Sequence, residues 1–315
     1  RTRGRMKDGK RDDDLNVAGF NPCVEQQLED AELCCLVETF PAKHESFDDY
    51  LATLKVAYLY GKTVTLVNTH WPETNSIMLK NRRIGLSQSG VVQAFAKHGR
   101  RKMFEWCDKS YKHVKQLDKY YSNWLCVPRS VRMTSIKPSG TVSLLNGSTP
   151  GIHFPEDEYY IRRIRFSNTS ELLSPLKKAG YKMEDDAYSP NTTVVEFPVK
   201  EPHFTKSKRY VSMWEQLEIA AQYQHFWADN SVSVTVTFKP EEGDQIKSAL
   251  EMYETRLKAV SFLRYEETGY KQAPYEPITE KQYKEMIKKI KPVQKLDIDQ
   301  AGVGTKFCDG DTCVI

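Results

Sequence analysis

The sequence predicts an α/β architecture in which helices cover a central sheet or barrel. Three observations predict it. Stretches with apolar residues three and four apart alternate with β-branched stretches, two of the helical stretches open on a capping pattern, and no internal repeat interrupts the alternation. The first twenty residues are charged, hold Gly and Asp without period, and are expected as loop. Ser46 and Asp49 form an expected capping box ahead of a helix over 50–60. Residues 101–124 carry Phe104, Cys107, Tyr111, Val114, Leu117 and Tyr121 at helical spacing, a long amphipathic helix. Residues 133–145 read as strand, turn and a further element around Pro138 and Gly140. A strand over 159–166, a helix over 170–180, a strand over 192–199 and a helix over 213–227 follow. Then come the alternating strand 231–238, a helix over 242–263, and a last helix opening on Thr279-x-x-Gln282. Periodicity stops near Lys291, so 291–315 is expected as a mobile tail.

Composition narrows the class. The 315 residues suffice for one large domain or two ordinary ones, and 39% hydrophobic with 28% charged content fits a globular protein. A net charge of +4 is too small to argue for nucleic-acid binding. Basic residues crowd the first eleven positions, but Asp12, Asp13 and Asp14 answer them, which favours a solvated start over a polyanion site. No run of eighteen apolar residues is present, so no membrane span is expected. Seven cysteines without a secretory apolar stretch suggest a reducing, cytoplasmic setting. Neither a CxxC pair nor a Cys/His cluster has zinc-site spacing, and no metal is expected.

Cysteine chemistry is the strongest functional signal. Asn21, Cys23 and Glu25 alternate, so an extended segment or tight loop presents thiol, carboxyl and amide to one site. Cys34 lies eleven residues beyond Cys23. An isolated Cys is as a rule a small buried hydrophobe. That is the reading for Cys35 and for Cys107 on its helix face, and it stays open for Cys23 and Cys34; Cys126 has no arguable partner. Cys308 and Cys313 differ: their terminal segment is too polar and Gly-rich to bury thiols, and two ligands are too few for a metal, which favours dithiol exchange on a swinging arm. Pro138, Ser139, Gly140, Thr141, Val142 and Ser143 form a hydroxyl-rich turn whose N–H groups suit phosphate oxygens, although a plain structural turn fits equally.

Several stretches resemble the C-terminal part of monomeric adenosylcobalamin-dependent (class II) ribonucleoside-triphosphate reductases. They are Gly19-Phe-Asn-Pro-Cys-Val-Glu25, Lys80-Asn-Arg-Arg-Ile-Gly-Leu-Ser-Gln-Ser-Gly90, Lys137-Pro-Ser-Gly-Thr-Val-Ser143, Gly151-Ile-His-Phe154, Ile161-Arg-Arg-Ile-Arg-Phe166, Asn191-Thr-Thr-Val-Val-Glu-Phe-Pro198 and the pair Cys308/Cys313. They run in order over nearly the whole chain. The resemblance implies the second half of a ten-stranded α/β barrel with a central finger loop: segment 1–20, half-barrel 21–290, redox tail 291–315. It implies that Cys23 becomes a thiyl radical and takes the ribose 3′-hydrogen, that Glu25 is base to the 3′-hydroxyl, and that Asn21 orients it. Cys34 resembles one of two cysteines that reduce the 2′-position. Cys308 and Cys313 resemble the pair that re-reduces them and passes the oxidation to thioredoxin. Residues 139–143 resemble the substrate-phosphate turn, and adenosylcobalamin is the implied cofactor.

Two other classes compete: a large subunit fed by a separate metal-radical protein, and a non-catalytic scaffold or electron-shuttle half. The first places its second redox cysteine farther away and carries a Tyr-Tyr relay; Tyr120-Tyr121 and Tyr159-Tyr160 lie in other contexts. A glycyl-radical motif is lacking. The family's other redox cysteine, its effector region and its first half-barrel precede this stretch. A separate N-terminal half-barrel polypeptide, carrying the dNTP effector site and the partner cysteine for Cys34, is therefore expected. Alone, the chain is expected to be poorly folded.

Overall fold

The computed structural model describes residues 4–8, 14–265 and 271–293. A short antiparallel hairpin comes first, β1 (Gly19–Phe20) against β2 (Gln27–Leu28). β3 (Leu36–Thr39), α1 (Phe47–Val64), α2 (Pro72–Asn81), β4 (Gly85–Gln88), α3 (Val91–His98) and α4 (Arg100–Trp124) follow. The remainder is β5 (Tyr159–Ser167), α5 (Leu173–Lys178), β6 (Lys182–Asp185), β7 (Thr192–Lys200), α6 (Met213–Phe226), β8 (Thr235–Phe238), α7 (Ile246–Tyr253), β9 (Ser261–Arg264), β10 (Tyr275–Pro277) and α8 (Glu280–Lys289).

The α/β expectation holds. β3 pairs in parallel with β4, Leu36 opposite Gly85 and Thr39 opposite Gln88. Parallel bridges then join Leu86 to Thr134 and Ile136 to Val232, and β8 pairs in parallel with β9. Five extended segments therefore run side by side in one direction. Parallel neighbours need long crossovers, and the helices provide them: α1 and α2 between β3 and β4, α3 and α4 before 134, α6 before 232, and α7 before β9. α1 buries Tyr50, Leu54 and Tyr58 against α4, where Trp106, Cys107, Tyr111 and Val114 face inward. Each such side chain contributes about 1.5–3 kcal/mol of burial.

These elements make one compact unit, within 1–155 and 202–266. The second unit, within 156–201 and 267–315, is built on an antiparallel sheet in the order β10-β5-β7-β6. There Arg163 faces Glu196 across the β5–β7 register and binds it at 2.9 Å.

Several expectations shift. The helix expected over 242–263 is a 3₁₀ turn at Pro240–Gln245, then α7, then β9, because its last residues, from Ser261, pair with β8 instead of continuing the helix. Ser46 does cap α1 by accepting from the Asp49 N–H, but the Asp49 carboxyl turns to His44 at 2.8 Å instead of closing the box. Thr279 and Gln282 form the full reciprocal box of α8. The charged start is not wholly solvated: Arg5 and Asp14 are each 3% exposed. Arg5 binds Asp108 at 2.7 Å. Among the described residues no helix is long and apolar enough to cross a membrane.

Candidate active site

The β1–β2 hairpin carries residues 21–26 as a tight loop, not an extended strand. Val24 has a φ of 65°, and its N–H donates to the Asn21 carbonyl at 2.9 Å. The Asn21 side-chain oxygen accepts the Gln26 N–H at 2.9 Å, so Asn21 closes the loop it begins. Its amide nitrogen makes no hydrogen bond among the described residues. The turn separates its neighbours: Cys23 is exposed, while Glu25 is fully buried. The Glu25 backbone is pinned by the Ser231 N–H, yet neither of its carboxyl oxygens has a hydrogen-bond partner. A buried carboxyl without donors is costly.

Polar side chains tie down the chain on both sides of the loop. The Arg83 guanidinium donates twice to Asp14, each bond at 2.8 Å, and once to Glu32 at 2.9 Å. Lys258 donates to the Gln27 side chain at 2.8 Å. Gln26 packs against Gly85, where a methyl group would run into Gln26, Leu36 and Ser135. Glycine there is a requirement of close approach. None of these anchors follows from sequence spacing, since Asp14 reads as part of a charged loop and Arg83 as a helix-end cation.

Cys34 lies on the segment entering β3 and is exposed, whereas Cys35 is buried, as expected. Crowding on its protein side, and then the Glu25 charge, push the Cys34 thiol up to about 11. The structure thus brings Glu25 and Cys34 within electrostatic reach and keeps Cys34 as a hydrogen-bearing thiol at neutral pH. Cys107 is core and fully buried.

The hydroxyl-rich turn lies on the same unit. The residue leading into it, Lys137, donates its N–H to Ser87 Oγ at 2.8 Å. Ser139 has a φ of 50°, and its carbonyl accepts both the N–H and the hydroxyl of Ser143, at 3.1 and 2.6 Å. Pro138 leads into the bend. Gly140, Thr141 and Val142 are exposed, and among the described residues their N–H groups enter no backbone hydrogen bond. Cys308 and Cys313 lie outside the described residues.

This arrangement has known counterparts. A scan of protein-family models finds no match. Among curated proteins, the chain is 49% identical over 309 residues to the "Probable adenosylcobalamin-dependent ribonucleoside-triphosphate reductase" of Dictyostelium discoideum, covering 96% of this chain and 41% of that protein. It is 48% identical over 310 residues to the adenosylcobalamin-dependent ribonucleoside-triphosphate reductase of Euglena gracilis, covering 96% and 42%. The crystal structure of a B-12 dependent (class II) ribonucleotide reductase superposes with a TM-score of 0.83 at 35% identity, over 92% of this chain and 45% of that one. The chain is related to the class II ribonucleotide reductases. It spans less than half the length of these relatives. The α subunit of the Actinobacillus ureae class Id ribonucleotide reductase matches at a TM-score of 0.57 with 16% identity over 79% of this chain, a likeness of fold alone. The half-barrel fold expected from the sequence is that of these class II reductases.

Proposed function

We propose that this chain is the thiyl-radical part of an adenosylcobalamin-dependent ribonucleoside-triphosphate reductase. The observation that carries the reading is the β1–β2 loop, which buries the Glu25 carboxyl with no donor while its neighbour Cys23 stays open. A ribose hydroxyl is the kind of donor Glu25 lacks, and a group that must accept a proton is best kept free of protein donors. The exposed Cys23 sulfur fits a radical-generating cofactor, which must reach it. When bound, adenosylcobalamin supplies the radical equivalent that takes the hydrogen atom from the Cys23 thiol.

The chain's residues then have ordered tasks. The Cys23 sulfur takes the 3′-hydrogen atom of the ribose, and Glu25 takes the 3′-hydroxyl proton. The Asn21 amide nitrogen orients that hydroxyl. The 2′-hydroxyl leaves as water, and Cys34 with a second cysteine donates two electrons and two hydrogens, ending as a disulfide. Cys23 finally returns its hydrogen to the 3′-carbon, and Glu25 returns its proton to the 3′-oxygen. The balance is ribonucleotide plus dithiol giving deoxyribonucleotide, disulfide and water. A thiol is suited to both roles, since it gives a reversible hydrogen carrier and a two-electron donor.

Residues 138–143 are assigned to the substrate phosphates. Cys308 and Cys313 are assigned to reducing the disulfide and passing the oxidation to thioredoxin. The remaining half of the relatives' length, on this polypeptide or on a separate N-terminal half-barrel polypeptide, supplies the partner cysteine, the effector site and barrel closure. Cys23→Ser tests the reading in the complete enzyme: turnover should vanish while nucleotide binding persists, because an O–H bond is too strong for a reversible hydrogen shuttle. Full turnover with Cys23→Ser overturns it.

A further inference from the structure

Glu38 on β3 has no role in the scheme above, yet it sits against the phosphate turn. It lies opposite Ser87 in the β3–β4 register, and Ser87 Oγ donates to Glu38 Oε1 at 3.1 Å. The same hydroxyl accepts the Lys137 N–H at 2.8 Å, and Ser89 Oγ accepts the Gly151 N–H at 2.9 Å. Hydroxyls flanking Glu38 therefore hold both ends of the 137–151 loop, with the exposed residues 140–142 between them. The second carboxyl oxygen, Glu38 Oε2, is buried, and neither it nor the buried Ser139 hydroxyl completes a hydrogen bond, although the Ser89 and Ser139 hydroxyls lie near the carboxyl. Protonation would remove the buried charge and convert that oxygen into a donor. A nucleotide's phosphates bring only acceptors and negative charge, so an ionised Glu38 beneath the turn opposes their uptake and a protonated one does not.

We propose that Glu38 is a proton-bearing positioning residue of the phosphate turn, and that the turn takes up the triphosphate of its substrate only with Glu38 protonated. This rests on the assignment of 138–143 to the substrate phosphates. Burial pushes Glu38 up to about 7, against the Ser89, Ser87 and Ser139 hydroxyls and the Lys137 charge, which favour the ionised form. Tyr50 on α1 also acts on it, and burial pushes Tyr50 far above its ordinary value and so keeps it neutral. The charge of Glu38 therefore changes near neutral pH.

The test is equilibrium binding of a nucleoside triphosphate to the complete enzyme, as wild type and as Glu38→Gln, at about pH 6 and about pH 8. Comparing the two proteins cancels the titration of the nucleotide itself. A group near pH 7 is about nine-tenths protonated at the lower pH and about one-tenth at the higher. The wild-type Kd should therefore rise about tenfold more than that of Glu38→Gln. Binding near pH 8 should also take up close to one proton more in the wild type. Equal pH slopes in the two proteins, with inorganic tripolyphosphate still displacing the nucleotide, overturn the role of Glu38 alone. Failure of tripolyphosphate to displace the nucleotide removes the phosphate-turn assignment and the proposal with it. Should Glu38→Gln not fold, Ser87→Ala serves: loss of the donor that favours ionisation should move the affinity midpoint to higher pH, and an unmoved or lowered midpoint overturns the proposal.

Discussion

Asp118 on α4 and Glu25 on the β1–β2 loop are both buried carboxyl groups, and their surroundings differ completely. One oxygen of Asp118 takes four donors: Tyr58 at 2.8 Å, Lys62 at 2.9 Å, the Ser130 N–H at 3.1 Å and Ser122 at 3.3 Å. Asp229 is served in the same way by the N–H groups of Met133 and Thr134 and by the Thr134 and Tyr111 hydroxyls. Glu25 has no donor. The helical layer spends its buried carboxyls on holding α1 to α4 and α6 to the sheet. The loop keeps one unspent. Saturation marks a structural charge, and an unmet carboxyl beside an exposed thiol marks a chemical one.

That contrast can be broken from either side. The largest expected effect is on stability. Asp118→Ala leaves the Lys62 ammonium buried without its counter-charge, which should lower the unfolding free energy by about 3–5 kcal/mol. Chemical denaturation measures it, and activity per folded molecule should hardly change. A loss below about 1 kcal/mol would mean that the α1–α4 network is not the structural anchor its geometry describes.

A smaller effect sharpens the loop side. Alkylation of Cys34, followed by mass spectrometry at that residue, should accelerate about tenfold per pH unit up to about 11, where burial and the Glu25 charge have placed the thiol. Removing a negative neighbour favours the thiolate, so Glu25→Gln should shift this profile to lower pH. An unchanged profile would show that Glu25 and Cys34 are not electrostatic neighbours.

Much of this was legible in the sequence, and the exceptions share a cause. α4, α6 and α8 follow their apolar spacing, and the caps at Ser46 and Thr279 form where serine and threonine precede it. β4 gave no strand signal: Gly85-Leu-Ser-Gln88 is wholly buried yet half polar, with Ser87 and Gln88 spent on hydrogen bonds that alternation cannot reveal. β9 was hidden inside an apolar-periodic stretch because its partner β8 is distant in sequence. At the site, Cys23, Glu25 and Cys34 were marked by spacing and by resemblance. The roles of Glu38, Arg83 and Asp14 were not, because each depends on a partner brought by the fold, from Ser87 to Glu32.

The central claim is that Glu25 is held without donors for chemistry and not for folding. Glu25→Gln in the complete enzyme, with melting temperature and single-turnover rate measured on the same sample, tests it most directly. Loss of a general base is worth about 10² to 10⁴ in rate, so turnover should fall within that range. The melting temperature should hold or rise, because a neutral amide is less costly to bury than a carboxylate. A lower melting temperature with near-normal turnover would place Glu25 with Asp118 among the structural charges and contradict the account.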